Sequence, residues 1–591
     1  MTRTPLLAVV AAFVVVVSSC SQGDGTTVAQ KESAPRGSSS PSTTVDGSGT
    51  APAPATEALD WSRCTGKVTS MAGLQCSTLQ VPIDPDQPKA GTIELALARK
   101  KSTGAASKRI GSLVLNPGGP GGSGLEFLAN AAASFPESVT DRFDLVSFDP
   151  RGVGESSPVR CLTDEQKDEQ LTGDLSPDTP EEKARAERDQ ETLRKGCEQR
   201  NPKLVAHMST SDVASDLDRI RTALGEDKLD YLGFSYGTSI GATYATMFPT
   251  KIRSMVLDGS VSPSATAADE AMVQATGFER TLADFVKACD ASSSCALAPD
   301  AAGAIDRTRA SLDQDPVTVE DASGTRTLGP DLFDYGLATA LYDSSTWGTV
   351  AQAIKDVRNG GAKTILTLVD RQTGRQTDGT YDNSSDAQSM VNCLDQRDRP
   401  TQAEADAAEV RIAQAAPNFG PLLGTGLTSC TDWPTAAEPT PVPSAVGAPP
   451  ILVVGTVGDP ATPYEWAQQM SAALTGSVLL TYEGDGHTAF LRGGPCIEDA
   501  VVDYLVSLTV PQAGTRCPAQ ASEQDFGGIQ ETFVKQLTDS GVPSEVAECI
   551  VKGMVAEVGE SRFDQLVMES DQEEITKLAT AQTLKCATGR N

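Results

Sequence analysis

Only two histidines, His207 and His487, occur in this chain of 591 residues. Its cysteines include no C-x-x-C pair, so the ligand sets that usually hold zinc are missing and neither a metal nor another cofactor is expected. Basic charge is short as well: 48 Lys and Arg stand against 79 Asp and Glu, a net charge of −31. A polyanion of this kind is repelled by nucleic acid and by anionic lipid headgroups, which argues against both as partners, and solubility suffices to explain the acidity. The apolar stretch near the N-terminus, Leu6–Val17, falls short of the ~20 residues a membrane-spanning helix needs.

That stretch has the form of an export signal instead. Arg3 supplies a minimal positive flank, and the apolar core ends in Val17-Ser18-Ser19-Cys20, which resembles a bacterial lipobox. Cleavage before Cys20 and lipid attachment to it are the expectation. From Ser21 to about Thr56 the chain runs in Ser, Thr, Gly, Pro and Ala with almost no large apolar side chain. Such a segment cannot bury enough surface to fold and acts as a tether. Together they would hold a soluble body at the outer face of the cell membrane. Of thirteen cysteines, setting Cys20 aside leaves an even twelve. Sequence neighbours pair as Cys64–Cys76, Cys161–Cys197, Cys289–Cys295, Cys393–Cys430, Cys496–Cys517 and Cys549–Cys586, although spacing alone does not fix connectivity.

The most informative segment is Gly233-Phe234-Ser235-Tyr236-Gly237, between the apolar run Leu229–Leu232 and the helix-like Thr238–Met247. A strand, a G-x-S-x-G turn and a helix describe a nucleophile elbow, which lifts the serine Oγ above a sheet. Such an elbow calls for an acid and then a histidine further along. Ile451–Val454 reads as a buried strand that delivers Asp459 in Gly455–Pro460. The following strand, Val478–Tyr482, leads to Gly486-His487. Asp258, after the apolar run Met255–Leu257, is the competing acid. His207, in Leu204–Met208, has the surroundings of a packing residue.

A strand over Ser112–Leu115 precedes the glycine-rich Asn116–Gly124. A loop of this kind brings main-chain N–H groups against a developing negative charge; Gly119 is the expected donor, with Gly118 the alternative. The N–H of Tyr236, after the serine, would be the second donor. Asp149-Pro150-Arg151-Gly152-Val153-Gly154-Glu155-Ser156 follows a further strand, Phe143–Phe148, and has the character of a brace, with Asp149 and Arg151 structural.

Asn116–Gly124, Asp149–Ser156, Gly233–Gly237, Gly458–Pro463 and Gly486-His487 together resemble the tripeptidyl aminopeptidase family of secreted actinobacterial α/β hydrolases. That family is related to the proline iminopeptidases, whose H-G-G-P-G loop carries histidine where this chain has Pro117. The resemblance covers about Asp60 to Val510. It implies an α/β-hydrolase fold, a Ser235–His487–Asp459 triad acting through an acyl-enzyme, and release of short N-terminal peptides. A carboxylesterase or lipase using the same triad on cell-envelope esters is the alternative.

About 190 residues separate the strand ending at Asp258 from the one starting at Ile451, where a βα step needs ~30. Helical patterns at Thr281–Cys289, Pro330–Leu341 and Thr349–Val357 make this a mostly helical cap. A smaller charged insertion, about Asp164 to Gln199, lies between Cys161 and Cys197. In exopeptidases of this fold, cap carboxylates bind the α-ammonium of the substrate; Asp395 and Glu270 are the candidates here. Beyond the core, Phe526, Ile529, Phe533, Val534 and Leu537 recur on one helical face. They open a helical appendage whose partner the sequence does not name. The expected boundaries are 1–20 signal peptide, 21–56 linker, 57–262 first part of the core, 263–447 cap, 448–522 second part of the core and 523–591 appendage.

Overall fold

A computed structural model describes residues 59–65, 73–321 and 324–520, positions 526, 530, 533, 534, 537 and 538, and most of 542–588. The export signal, Cys20 and the 21–56 linker lie outside the described residues. Twelve strands are described: β1 (Ser62–Arg63), β2 (Leu74–Pro82), β3 (Thr92–Lys100), β4 (Gly111–Asn116), β5 (Phe143–Phe148), β6 (Leu229–Phe234), β7 (Ile252–Asp258), β8 (Val317–Asp321), β9 (Gly324–Leu328), β10 (Leu452–Gly458), β11 (Val478–Asp485) and β12 (Arg516–Cys517). Ten of them form one sheet in the order β1-β2-β3-β5-β4-β6-β7-β10-β11-β12. Pairing is antiparallel from β1 through β3 to β5 and parallel from β5 through to β12. Every residue of β4, β5 and β6 is buried, as expected of parallel strands covered on both faces.

The register decides where chemistry can occur. Asn116 pairs with Gly233, Phe234 with Asp258, Val454 with Asp258, and Gly458 with Asp485. The carboxyl ends of β4, β6, β7, β10 and β11 therefore lie side by side along one lip. Ligands of open α/β sheets bind at that lip. The segments following these strands carry the glycine-rich loop, Ser235, Asp459 and His487.

Between β7 and β10 the chain builds the cap. Its main helices are Ala267–Ala291, Ala301–Gln314, Pro330–Ala340, Trp347–Val357, Lys363–Thr373, Ser384–Asp395 and Gln402–Ala415. It also contains the antiparallel β8–β9 hairpin, within a cap that is mostly helical as expected. The cap has an apolar core of its own around Phe278, Phe285, Phe333, Trp347, Ile354 and Phe419. The charged insertion between β5 and β6 folds as the helices Asp164–Leu171 and Pro180–Arg200. Thr163 and Thr179 begin them with capping boxes, which satisfy the first free N–H groups of each.

Six disulfides join the sequence neighbours paired above, from Cys64–Cys76 through to Cys549–Cys586. Such a set marks a protein that matures in an oxidising compartment outside the cytosol. Among the described residues no helix is long and apolar enough to cross a membrane. At the C-terminal end, helices Ser544–Val558 and Gln572–Thr588 enclose a separate core of Ile550, Val551, Met554, Phe563 and Leu578. Phe526 does not join it. Its ring packs with Phe285 in the cap core, with centroids 6.4 Å apart. Phe533, Val534 and Leu537 do pack on the appendage core, and Ile529 lies outside the described residues.

Candidate active site

Ser235 occupies the turn between β6 and the helix Tyr236–Met247, with φ 53° and ψ −126°. A non-glycine residue rarely adopts that backbone, and keeping one there costs about 1–3 kcal/mol that the surroundings must offset. Two constraints hold it. The Ser235 N–H donates to the Asp258 carbonyl at 2.9 Å. Gly233 passes so close to Gly237 that a Cβ would lie 2.4 Å from the Gly237 carbonyl oxygen.

His487 follows β11, and its own N–H donates to the Tyr342 carbonyl of the cap at 2.8 Å. Its Nδ1 lies 3.0 Å from each carboxylate oxygen of the fully buried Asp459. Asp459 is itself fixed by the backbone N–H groups of Ala461 and Thr462 on Oδ1, at 2.9 and 2.8 Å, and by the Thr462 hydroxyl on Oδ2 at 2.9 Å. A carboxylate held by so many donors does not rotate, so the imidazole is fixed with Nδ1 toward Asp459. The edge-on Tyr342 ring, with centroids 5.3 Å apart, covers the imidazole.

Asp258 does not touch the imidazole; it holds the backbone beyond it. Its carboxyl accepts from Ala489 N–H at 3.0 and 3.1 Å and from Phe490 N–H at 2.7 Å. Burial pushes Asp258 up to about 7 against those donors. One residue therefore fixes Ser235 through its carbonyl and the segment after His487 through its carboxyl. The second histidine, His207, donates its N–H to the Leu204 carbonyl at 2.8 Å, and its own carbonyl accepts from the Arg151 guanidinium at 2.9 Å. Arg151 is buried and also binds both Asp216 carboxylate oxygens at 2.8 Å. Asp149 accepts from Ser123 Oγ, Leu125 N–H and Glu155 N–H, and so ties the end of the glycine-rich loop to the loop after β5.

Within that loop Gly118 and Gly119 differ. The Gly118 N–H is spent on Asn116 Oδ1 at 2.9 Å. With φ +96°, Gly118 packs so tightly on the elbow that a Cβ would stand 2.8 Å from Ser235 Cβ and 2.9 Å from Tyr236 N. The Gly119 N–H has no acceptor within the described protein, and Gly119 lines the same cavity as Ser235 and Tyr236. Tyr236 begins its helix, so its N–H has no acceptor inside that helix.

The cavity, of about 570 Å³, lies between the sheet lip and the cap and includes both cap carboxylates named above. They are in different states. Asp395 is engaged by Thr210 N–H, Thr210 Oγ1 and Thr440 Oγ1 at 3.0, 2.5 and 2.6 Å. The Glu270 carboxyl has no hydrogen bond or ion pair within the described protein. Burial first, and Asp398 second, push it up to about 7, with Arg397 opposing. Thr462, Tyr342 and Thr210 escaped the sequence reading. Only Thr462, in the turn after Asp459, carried a local signal.

Strand order, the strained serine turn and the acid–histidine pair on adjacent strand ends are the arrangement of the α/β hydrolases. Residues 111–353 match the family model described as "alpha/beta hydrolase fold", and residues 416–517 match that of "TAP-like protein". Serine protease Hip1 of Mycobacterium tuberculosis is 36% identical over 477 residues, covering 78% of this chain and 91% of that protein. Carboxylesterase B of the same organism is 34% identical, covering 77% and 89%. The tripeptidyl aminopeptidase of Streptomyces lividans is 31% identical, covering 78% and 87%. The chain belongs to the tripeptidyl aminopeptidase-like family of α/β hydrolases.

Proposed function

We propose that the protein is an exported serine aminopeptidase that releases short peptides, tripeptides in the first instance, from free N-termini. Ser235 is the nucleophile, His487 the general base and Asp459 the group that orients it. His487 Nε2 takes the Ser235 hydroxyl proton as Oγ bonds to the scissile carbonyl carbon. The N–H groups of Gly119 and Tyr236 stabilise the oxyanion that results. Collapse breaks the C–N bond, His487 gives its proton to the leaving amine, and the acyl-enzyme remains. Water, deprotonated by His487, then frees the N-terminal fragment and restores Ser235.

The observation that carries the choice of peptide is Glu270, an unpartnered carboxyl in a cavity shared with Ser235. An α-ammonium gives it the partner it lacks, and the pair is stronger out of water than on a surface. Asp395, with three donors already, is the weaker candidate for that role. The same triad would cleave esters, and the relative named Carboxylesterase B keeps that second reading open to test. We further propose that cleavage before Cys20 and lipidation of that cysteine anchor the enzyme at the outer membrane face, with residues 21–56 as tether.

The test uses a free-amino tripeptide with a chromogenic leaving group, its N-acetylated twin and a chromogenic acyl ester, with Ser235→Ala as control. Serine-dependent cleavage of the free peptide alone supports the aminopeptidase. Ester turnover without peptide cleavage moves the protein to the esterase reading.

A further inference from the structure

Asp395 ends the cap helix Ser384–Asp395, where a carboxylate faces the negative end of the helix dipole. Burial also penalises its charge. A residue placed so unfavourably is held by what it binds, and its partners lead to the core. Both Thr210 donors, the N–H at 3.0 Å and the hydroxyl at 2.5 Å, end on Asp395. Thr440 Oγ1, from the return segment of the cap, adds a third donor at 2.6 Å. Thr210 is the first residue of the helix Thr210–Ala223, which belongs to the core. Its Oγ1 lies 2.7 Å from the hydroxyl of Tyr236.

The direction of this chain follows from proton counting. A threonine hydroxyl has one proton, and Thr210 gives it to Asp395. Toward Tyr236 it can then only accept. The order is Tyr236 O–H to Thr210 O–H to the Asp395 carboxylate. Tyr236 is buried and directly follows Ser235, so its ring and its backbone N–H belong to one rigid residue at the start of a helix.

We propose that Asp395 is a positioning residue: acting from the cap through Thr210, it fixes the side chain of Tyr236 and with it the amide that meets the oxyanion. The cap thereby tunes the reaction centre as well as choosing the substrate. This rests on Ser235 as nucleophile and Tyr236 N–H as oxyanion donor, but not on whether the substrate is a peptide or an ester.

The experiment measures the rate at which a neutral fluorophosphonate labels Ser235, which needs nucleophile and oxyanion hole but no ammonium site. Asp395→Asn keeps the size but turns one acceptor into a donor facing Thr210 or Thr440. Tyr236→Phe removes only the far end of the chain, leaving Asp395 and its cap contacts in place, and remains informative if Asp395→Asn fails to fold. Each variant is expected to label about tenfold more slowly, the scale of a modest misplacement of a reacting group. The double variant should also be about tenfold slower, because a chain broken once is not broken further. Labelling within twofold of wild type for Tyr236→Phe, or a roughly hundredfold additive loss in the double variant, overturns the proposal. So does an Asp395→Asn variant that raises KM for free-amino peptides while labelling normally, since that behaviour belongs to an ammonium ligand. Failure of the underlying assignment looks different: the wild-type protein itself would not label at Ser235.

Discussion

The sheet lip and the cap meet across one cavity, yet they are built on different principles. On the lip, the parts are close in sequence to the strand ends that carry them and are fixed by backbone: Ser235 by the Asp258 carbonyl, and Asp459 by the Ala461 and Thr462 amides. In the cap, the Glu270 carboxyl has no hydrogen bond within the described protein, and Asp395 takes two of its three donors from side-chain hydroxyls of distant segments. Asp395 is held from Thr210 and Thr440, 185 and 45 residues away. Backbone anchoring suits chemistry, which tolerates little displacement. Side-chain anchoring suits recognition, because it can change by single substitutions without disturbing the sheet.

The largest effect should come from the lip. Ser235→Ala is expected to lower kcat by about four or more orders of magnitude with the thermal transition nearly unchanged, because it removes the bond-forming atom and little packing. Substantial residual turnover would break the assignment. Next is Gly118→Ala, whose methyl would press on Ser235 Cβ, Tyr236 N and the Phe234 carbonyl. Loss of about a hundredfold in kcat is expected, the scale of a damaged oxyanion hole, together with a lower Tm.

The cap responds to pH in a defined direction. Glu270 stands at about 7 because burial disfavours its charge, so its carboxylate forms as pH rises through that value and protonation removes it below. The N-terminal amine stays largely protonated to about 7.7–8.0. Preference for a free-amino peptide over a neutral ester, taken as the ratio of the two kcat/KM values, should therefore rise between pH 6 and 7.5. Any pH dependence that the two reactions share cancels in that ratio. A flat ratio would remove Glu270 from recognition. Smallest is Arg280→Ala, which breaks a contact with Glu465 at 3.4 Å between two half-exposed side chains joining cap to core. Exposed pairs contribute about 0–1 kcal/mol, so neither Tm nor kcat/KM should move measurably. A clear drop would mean that surface charge holds the cap in place.

The same contrast explains what was legible in the sequence. Strands ending in G-x-S-x-G, in Gly458-Asp459-Pro460 and in Gly486-His487 can be read because turn chemistry and apolar runs are local. The meeting of Asp459 and His487 needs only that their strands be neighbours. Gly119 is the expected donor, but the reason Gly118 is excluded, its N–H held by Asn116 Oδ1, was not legible. Nor was the difference between Glu270 and Asp395, two cap carboxylates whose states are decided by Thr210 and Thr440. Tyr342 covers His487 from a helix end with no distinguishing pattern of its own. Phe526 read as the first residue of the appendage face, but tertiary packing places it in the cap.

The most direct test of the division between lip and cap is Glu270→Gln, assayed on a free-amino tripeptide and on a small neutral acyl ester. The account predicts that kcat/KM for the peptide falls about tenfold or more, mainly through KM, while the ester is turned over as by the wild type. Equal losses on both substrates, or none on either, would contradict it.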